Sequence, residues 1–126
     1  MNDAPFRVLL VEDSKRLAER LREALEQLEE VNVVATVDDE KSAVDIARRE
    51  AIDVMVLDLQ LREGTGFGVL KALGDVRPAV IVLTNYALPE YQRRATELGV
   101  EYFLNKSRDY EKLPDIILSL RDKSRH

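Results

Sequence analysis

The chain has 126 residues, 45% of them hydrophobic and 34% charged, which suits one globular domain with its own core rather than a disordered segment. The formal net charge of −5 argues against binding to nucleic acid or to an anionic membrane through a basic surface. The absence of cysteine and the single histidine, His126 at the last position, exclude thiol, disulfide and histidine-dependent sites, so any side-chain metal ligands must be oxygen atoms.

The first half of the chain alternates between strand and helix patterns. Short apolar runs predict three strands, over residues 6–11, 31–37 and 53–58. A helical period begins at Lys15 with Ser14 as its N-cap, and Asp39 is placed to cap a second helix. Strands and helices therefore follow one another in turn.

The second half continues this alternation. A third helix follows the glycines of residues 64–68, and two further strands are predicted, over residues 79–84 and 101–106. Pro89 fits the first turn of a fourth helix, where its missing N–H is not needed. The apolar stripe of that helix consists of Leu88, Tyr91, Ala95 and Leu98. Gly99 is expected to end it in a left-handed conformation.

A fifth helix completes the predicted fold. Pro114 is tolerated only near a helix start, which places that start close to Asp109. Residues 121–126 are expected to fray. Continuous apolar strands are typical of parallel sheets covered on both faces, so the pattern predicts a doubly wound α/β sandwich. We expect residues 1–126 to form a single domain, without linker or repeat.

Polar side chains stand where the predicted strands end. The first strand is followed by Glu12 and Asp13, the third ends in Asp58, the fourth in Thr84 and the fifth in Lys106. Ligands of open parallel sheets bind beyond the carboxyl ends of the strands. We therefore expect these side chains to lie along one edge of the sheet.

Taken singly, most of these residues have a plainer interpretation. Asp13 is equally well explained as part of a helix cap, and Thr84 as a strand-end residue that bonds its own backbone. Lys106 alone would be an ordinary solvated side chain. Asp58 resists such an explanation, because it directly follows four apolar residues and no neighbour in sequence neutralises it.

A cluster of three carboxylates is electrostatically costly. Two carboxylates about 5 Å apart repel by roughly 3 kcal/mol at an effective dielectric constant of about 20. The cluster must therefore raise its own pKa values or attract a cation. Lys106 supplies one positive charge, and oxygen ligands with open positions favour Mg²⁺ that meets a phosphate.

Over essentially the whole chain, the sequence resembles the receiver domain of two-component response regulators, of the stand-alone chemotaxis-regulator kind. The resemblance lies in LLVEDS, VMVLDLQLREGTGFGVL, VIVLT and YFLNKS, in this order and spacing. It implies a flavodoxin-like strand order 2-1-3-4-5 in a three-layer sandwich. It also implies that the chain is not an enzyme beyond its own phosphoryl transfer and autodephosphorylation.

The resemblance assigns a role to the acidic residues. Asp58 accepts a phosphoryl group from a phosphohistidine on a sensor histidine kinase or a histidine phosphotransfer protein. Mg²⁺ is held by Glu12, Asp13, Asp58 and the backbone carbonyl of Gln60.

The resemblance also implies a switch. Thr84 and Lys106 bind the phosphoryl group, and Phe103 changes rotamer as Thr84 moves. With no DNA-binding or enzymatic output segment in these 126 residues, we expect action through an unknown protein target or along a phosphorelay. No nucleic-acid or membrane partner is expected, and the default location is the cytoplasm, because no signal peptide or membrane-spanning run is present.

The chain departs from the common family pattern in three places. Glu12 replaces the commoner aspartate, which leaves open whether it contacts the metal directly or through water. Ser107 stands where proline often follows the lysine, so a cis bond there is left open. Arg62 and Glu63 replace the common Pro-Asp, so we expect a less constrained loop over residues 59–66.

Two side chains near Asp58 are expected to set the rate of phosphoryl hydrolysis. These are Gln60 and Tyr86. The bulky ring of Tyr86 can obstruct the attacking water and lengthen the phosphorylated lifetime.

Three other functions are weighed against this one. Residues 64–68, GTGFG, superficially resemble a nucleotide or flavin loop, but they do not follow the first strand and no Gly-Lys-Ser/Thr follows. A Mg²⁺-dependent aspartyl-phosphate phosphatase would need a general acid where Gln60 stands. A receiver that only docks, without phosphorylation, usually lacks the aspartate, an acidic partner or the lysine, all of which are present here.

Overall fold

A computed structural model describes residues 4–124, in which five strands alternate with five helices as the apolar pattern predicts. The strands are β1 (Phe6–Val11), β2 (Val31–Val37), β3 (Val54–Leu57), β4 (Ala79–Thr84) and β5 (Tyr102–Asn105). The helices are α1 (Lys15–Glu26), α2 (Glu40–Arg49), α3 (Gly66–Leu73), α4 (Pro89–Glu97) and α5 (Leu113–Lys123). Within the described range, no helix has the length and apolar character needed to cross a membrane.

The five strands form one parallel sheet in the order β2-β1-β3-β4-β5. This confirms the predicted doubly wound fold and its flavodoxin-like strand order. The register places Val11 beside Leu57 and Leu57 beside Val82, so β1 and β3 end at the same level and β4 runs two residues further. Because the strands are parallel, their carboxyl ends lie along one edge of the sheet, which we call the rim.

The sheet separates two apolar layers, which makes the fold a three-layer sandwich. Odd-numbered side chains of β1 and β3, such as Leu9 and Met55, pack with α2, α3 and α4 in what we call the α2–α4 layer. Even-numbered side chains, such as Leu10 and Val56, pack with α1 and α5 in the α1/α5 layer. All four residues of β3 are buried, as expected for a parallel strand covered on both faces.

The helices begin and end at residues with the predicted local chemistry. The side chains of Ser14 and Asp39 accept hydrogen bonds from the third residues of α1 (3.3 Å) and α2 (3.0 Å). Pro89 lies in the first turn of α4, and Gly99 beyond its end has φ +87°. Thr65, which the sequence patterns did not single out, caps α3 by accepting from its third residue (2.9 Å).

Some boundaries differ from the predictions. Strands β3 and β5 each lose one residue at both ends, so Asp58 and Lys106 stand just outside them at the rim. Leu88 was wrongly placed in the buried stripe of α4. It is the N-cap, ahead of the first turn, and is 45% exposed.

The start of the C-terminal helix agrees with the prediction, whereas its end does not. A 3₁₀ turn over Tyr110–Lys112 precedes α5, in agreement with a helical start close to Asp109. The expected fraying is wrong for Arg121 and its neighbours, which form the last turn of α5. Arg121 Nη1 donates to the carbonyl of Glu29 (2.6 Å), and this contact holds the turn against the α1–β2 connection. His126 lies outside the described residues.

Candidate functional site

The rim brings together the three acidic residues singled out in the sequence. Glu12 and Asp13 follow β1, Asp58 follows β3, and these two strands are direct neighbours. One carboxylate oxygen from each residue lies within 4.8 Å of the other two. Glu12 and Asp58 are each 4% exposed, whereas the Asp13 side chain is 44% exposed. The cluster therefore has two buried members and one that is open to solvent.

The ammonium group of Lys106 lies against this cluster. Its Nζ donates to Oδ2 of Asp58 (2.7 Å) and to the carboxylate of Glu12 (2.8 Å), which is 94 positions away in the chain. The same Nζ is 4.0 Å from Asp13. The backbone N–H of Lys106 donates to the carbonyl of Thr84 (2.9 Å), which fixes where this side chain begins. A single lysine therefore partly neutralises three carboxylates.

The positive charge of Lys106 offsets only part of the effect of burying Glu12 and Asp58 on their pKa values. Burial raises the pKa of Glu12 to about 7, although the hydrogen bond from Lys106 opposes the rise. Burial likewise raises the pKa of Asp58, again against Lys106. For Asp13, burial also acts upward, but hydrogen bonds with Glu12 and Asp58 outweigh it and lower the pKa. Burial acts to lower the pKa of Lys106, but the two buried carboxylates outweigh it and raise the value. Burial therefore disfavours the charged forms of Glu12 and Asp58 in spite of Lys106, and a further cation would be favoured there.

The carboxylate of Asp58 is held from both sides. Its Oδ2 accepts from Lys106, and its Oδ1 accepts from the backbone N–H of Gln60 (3.2 Å). Its own N–H donates to the carbonyl of Val11 (2.9 Å), so the residue is still paired with β1. The aspartate is therefore presented in one orientation at the end of a rigid strand.

The hydroxyl of Thr84 is fully buried at the end of β4. Its Oγ1 accepts from the backbone N–H of Tyr86 (3.1 Å). In this structure Thr84 is therefore a strand-end residue that bonds nearby backbone, which is the plainer of the two interpretations of its sequence position. The Tyr86 side chain lines a groove of about 410 Å³ together with Gln60. Phe103 is half-buried on β5 and packs against the α2–α4 layer.

The loop over residues 59–66 is held by backbone hydrogen bonds to the start of α2. The backbone N–H of Arg62 donates to the carbonyl of Asp38 (2.9 Å), and that of Glu40 donates to the carbonyl of Glu63 (3.0 Å). These bonds to the start of α2 constrain the loop although Arg62 and Glu63 stand in place of Pro-Asp, and the expectation of a less constrained loop stays a prediction. The bonds join segments more than twenty residues apart, so no local pattern in the sequence reveals them.

The loop after β5 is also held by residues that the sequence patterns did not single out. The side chain of Asn105 accepts from the N–H groups of Ser107 (2.8 Å) and Arg108 (3.1 Å). Every peptide bond among the described residues is trans, Lys106–Ser107 included. Serine in place of proline therefore leaves an N–H that the loop uses. An asparagine just before the lysine is the kind of turn residue that could have indicated this.

Comparison with known proteins places the chain among signalling proteins. The family model of the response regulator receiver domain matches residues 8–118. Transcriptional regulatory protein DesR of Bacillus subtilis is 29% identical over 118 residues, which cover 94% of this chain and 59% of DesR. Nitrate/nitrite response regulator protein NarP of Escherichia coli is 33% identical over 115 residues, which cover 90% of this chain and 54% of NarP. The chain spans little more than half the length of these relatives.

A solved structure agrees with the sequence comparison. The non-phosphorylated HemR receiver domain from Leptospira biflexa is similar with a TM-score of 0.81 at 30% identity, over 93% of this chain and 94% of that one. The range matched by the family model contains all the rim residues described above. The chain therefore belongs to the response regulator receiver domain family of two-component systems.

Proposed function

We propose that Asp58 is the phosphoacceptor of a two-component or phosphorelay system. An oxygen of its carboxylate attacks the phosphorus of a phosphohistidine on the partner. The O–P bond forms as the P–N bond breaks, and the electron pair of the broken bond stays on the imidazole nitrogen. The observation that carries the proposal is the position of Asp58 at the rim, held by Lys106 and by the Gln60 amide beside two further carboxylates.

The acidic cluster fits Mg²⁺. Its donors are carboxylate oxygens, which this ion prefers, and Asp13 leaves the cluster open to solvent. Glu12, Asp13, Asp58 and the backbone carbonyl of Gln60 would hold the ion. When bound, it neutralises charge on the phosphoryl oxygens during transfer.

Lys106 and Thr84 would respond to phosphorylation. The modification adds roughly 1.5 to 2 negative charges and new acceptor oxygens beside the ammonium group of Lys106. The O–H of Thr84, whose oxygen now accepts from the N–H of Tyr86, gains a charged acceptor that draws the hydroxyl toward Asp58. A shift of Thr84 would free space beside Phe103 on the neighbouring strand and change the surface formed by α4 and β5.

The expected partners are proteins. A sensor histidine kinase or a histidine phosphotransfer protein would supply the phosphoryl group, and an unknown protein target would recognise the modified surface. DesR and NarP are longer proteins, and the regulatory roles in their names are said of those proteins and not of this chain. For this chain we propose that residues 1–126 act as a single receiver domain in the cytoplasm. It would bind neither nucleic acid nor membrane and catalyse no reaction beyond its own phosphoryl transfer and hydrolysis.

Incubation with acetyl phosphate and MgCl₂, followed by intact-mass measurement, tests the proposal. We expect the wild type to gain one phosphoryl group, EDTA to prevent this, and Asp58→Asn to abolish it. Asp53→Asn is a matched control, because Asp53 lies at the opposite end of β3 and accepts from the N–H of Arg7 (2.8 Å). An unmodified wild type, or equal labelling of Asp58→Asn, would contradict the proposal.

The same experiment separates two other functions. A wild type that stays unmodified would favour docking without phosphorylation. Continuous turnover of a small phosphate ester that depends on Asp58 would favour a phosphatase. The side chain of Gln60, two residues after Asp58, has no acidic proton to give to a leaving group, which argues against the second outcome.

A further inference from the structure

Two side chains hold the loop that joins Asp58 to α3. One is Glu40, the first residue of α2, and the other is Arg62 in the loop itself. We propose that they form a clamp which positions Asp58 and the carbonyl of Gln60 for the divalent cation. This inference rests on the function proposed above.

The clamp is built on a short backbone pairing outside the main sheet. The N–H of Arg62 donates to the carbonyl of Asp38 (2.9 Å), and the N–H of Glu40 donates to the carbonyl of Glu63 (3.0 Å). Asp39 and Glu63 thereby form an isolated parallel bridge. The loop after β3 is therefore fixed to the start of α2, an element that contributes no rim residue of its own.

The guanidinium group of Arg62 reinforces this pairing. Its Nε donates to Oδ2 of Asp38 (3.1 Å), and its Nη2 lies 3.6 Å from Oδ1 of Asp39. The Arg62 side chain is 55% exposed, and ion pairs in solvent contribute little to global stability. These contacts therefore fix the loop in one position but add little to the free energy of unfolding.

Glu40 holds the other end of the loop. Its Oε1 accepts from the backbone N–H of Thr65 (3.0 Å), where the positive end of α3 favours a carboxylate. A β-carbon at Gly64 or Gly68 would overlap the Glu40 side chain. The two glycines therefore leave the space that this side chain occupies, which explains the glycine-rich residues 64–68 without a nucleotide.

The clamp reaches the site through two contacts. Thr65, held by Glu40, forms an isolated antiparallel bridge with Gln60. The N–H of Gln60 in turn donates to Oδ1 of Asp58 (3.2 Å). Gln60 is thus tied to the clamp on one side and to the phosphoacceptor on the other.

Removal of Arg62 is expected to have two opposite effects on the affinity for Mg²⁺, one from the lost charge and one from the released loop. Arg62→Ala takes a positive charge from a region that already holds Asp38, Asp39 and the acidic cluster. By Coulomb's law alone, Mg²⁺ would then bind more tightly. Weaker binding can only arise because the loop no longer holds its ligands in place.

A second variant tests the clamp without changing any charge. Gly68→Ala adds one methyl group where the Glu40 carboxylate lies and must displace it. Alanine is otherwise favoured over glycine within a helix, so the helix itself gains stability. Arg22→Ala is the matched control for lost charge, because Arg22 lines the same cavity as Glu12 and Asp38 but, among residues 4–124, forms ion pairs only with Glu19 and Glu26 of its own helix.

Titration of the ¹⁵N-labelled proteins with MgCl₂ at constant ionic strength, followed through backbone amide shifts, measures the affinity. Thermal unfolding of the same samples reports global stability. We expect Arg62→Ala and Gly68→Ala to weaken Mg²⁺ binding about tenfold, the size typical of partners that orient metal ligands, with folding retained. Arg22→Ala should bind as the wild type does or slightly more tightly.

Each outcome decides the matter. Wild-type affinity in both clamp variants overturns the clamp alone, while a wild type without Mg²⁺-dependent shifts overturns the clamp and the proposed metal site together. If one variant fails to fold, the other still decides. Faster hydrogen exchange of the Glu40 and Arg62 amides in the weakened variants would show that the loop itself has been released.

Discussion

Asn105 and Asp109 close the loop after β5 through a reciprocal pair of hydrogen bonds. The N–H of Asn105 donates to Oδ2 of Asp109 (3.0 Å), and the N–H of Asp109 donates to the carbonyl of Asn105 (2.8 Å). Lys106 lies inside this closed turn. The lysine that reaches the acidic cluster is therefore anchored by hydrogen bonds of the residues around it.

This pair predicts a pH-dependent contribution to stability. The hydrogen bond from the Asn105 amide, helped by Lys112, lowers the pKa of Asp109 below its usual value. A carboxylate with a lowered pKa stabilises the fold above its unfolded pKa, and the contribution is lost as the pH falls through the folded one. Asp109→Asn should therefore unfold at lower urea concentration than the wild type at pH 7, with a gap that closes below about pH 4. A gap that stays constant down to pH 3 would contradict this.

Lys106→Met should strongly destabilise the metal-free protein. The change leaves the buried carboxylates of Glu12 and Asp58 without their cation, which typically costs about 3 kcal/mol or more. Urea unfolding in EDTA at pH 7 measures the loss. The loss should shrink at pH 5, because Glu12, whose pKa is already about 7, then carries a proton. Lys71→Met, at an exposed lysine of α3, is the control, and an equal loss in that variant would rule out the explanation.

Gly66→Ala should disturb Asp58, the proposed phosphoacceptor, through the backbone. A β-carbon at Gly66 would overlap the carbonyl oxygen of Asp58 and lie 3.0 Å from Cα of Leu59, and neither backbone atom can turn aside. We expect a loss of about 2 kcal/mol in stability and slower labelling by acetyl phosphate. Gly74→Ala, at the other end of α3, meets no atom within 4 Å and should leave labelling unchanged despite local strain at φ +61°. Wild-type labelling in Gly66→Ala would show that the close approach is unimportant.

Tyr86→Ala should shorten the phosphorylated lifetime several-fold. Tyr86 and Gln60 line the same groove, and the N–H of Gln60 donates to Oδ1 of Asp58 (3.2 Å), so we expect the ring to limit the access of water to Asp58. Its backbone N–H, which binds Thr84, is retained in the variant. Loss of the phosphoryl group from protein labelled with acetyl phosphate, followed by mass after removal of the donor, gives the rate. Leu88→Ala, at another exposed side chain of the same loop, serves as control, and equal rates for wild type and Tyr86→Ala would contradict the idea.

The fold was predictable because its signals are local. The strands over residues 6–11, 31–37 and 79–84 agree residue for residue with the prediction. Ser14 and Asp39 indicate helix starts, because the side chain of each accepts a hydrogen bond from the backbone N–H three residues later. The meeting of Glu12, Asp58 and Lys106 followed from parallel strands alone, because such strands end at one rim.

The contacts that hold the site were not predictable in the same way. Arg62 and Asp38 are 24 residues apart, and nothing in either neighbourhood distinguishes their pairing from two solvated charges. Nothing in the sequence around Glu40 indicates that its side chain fills the space left by Gly64 and Gly68. The pKa of Glu12 depends on how deeply this side chain is buried, which only the packed structure defines. Local chemistry thus reveals the elements, and long-range pairing decides how firmly the site is held.

The division of the core into two layers has an evolutionary consequence. The α1/α5 layer and the α2–α4 layer share no buried residue among those described, because neighbouring positions of each strand face opposite ways. A lineage can therefore change the helices on one face without repacking the other. The surfaces of the two faces can thus diverge separately, while the residues of the rim are kept.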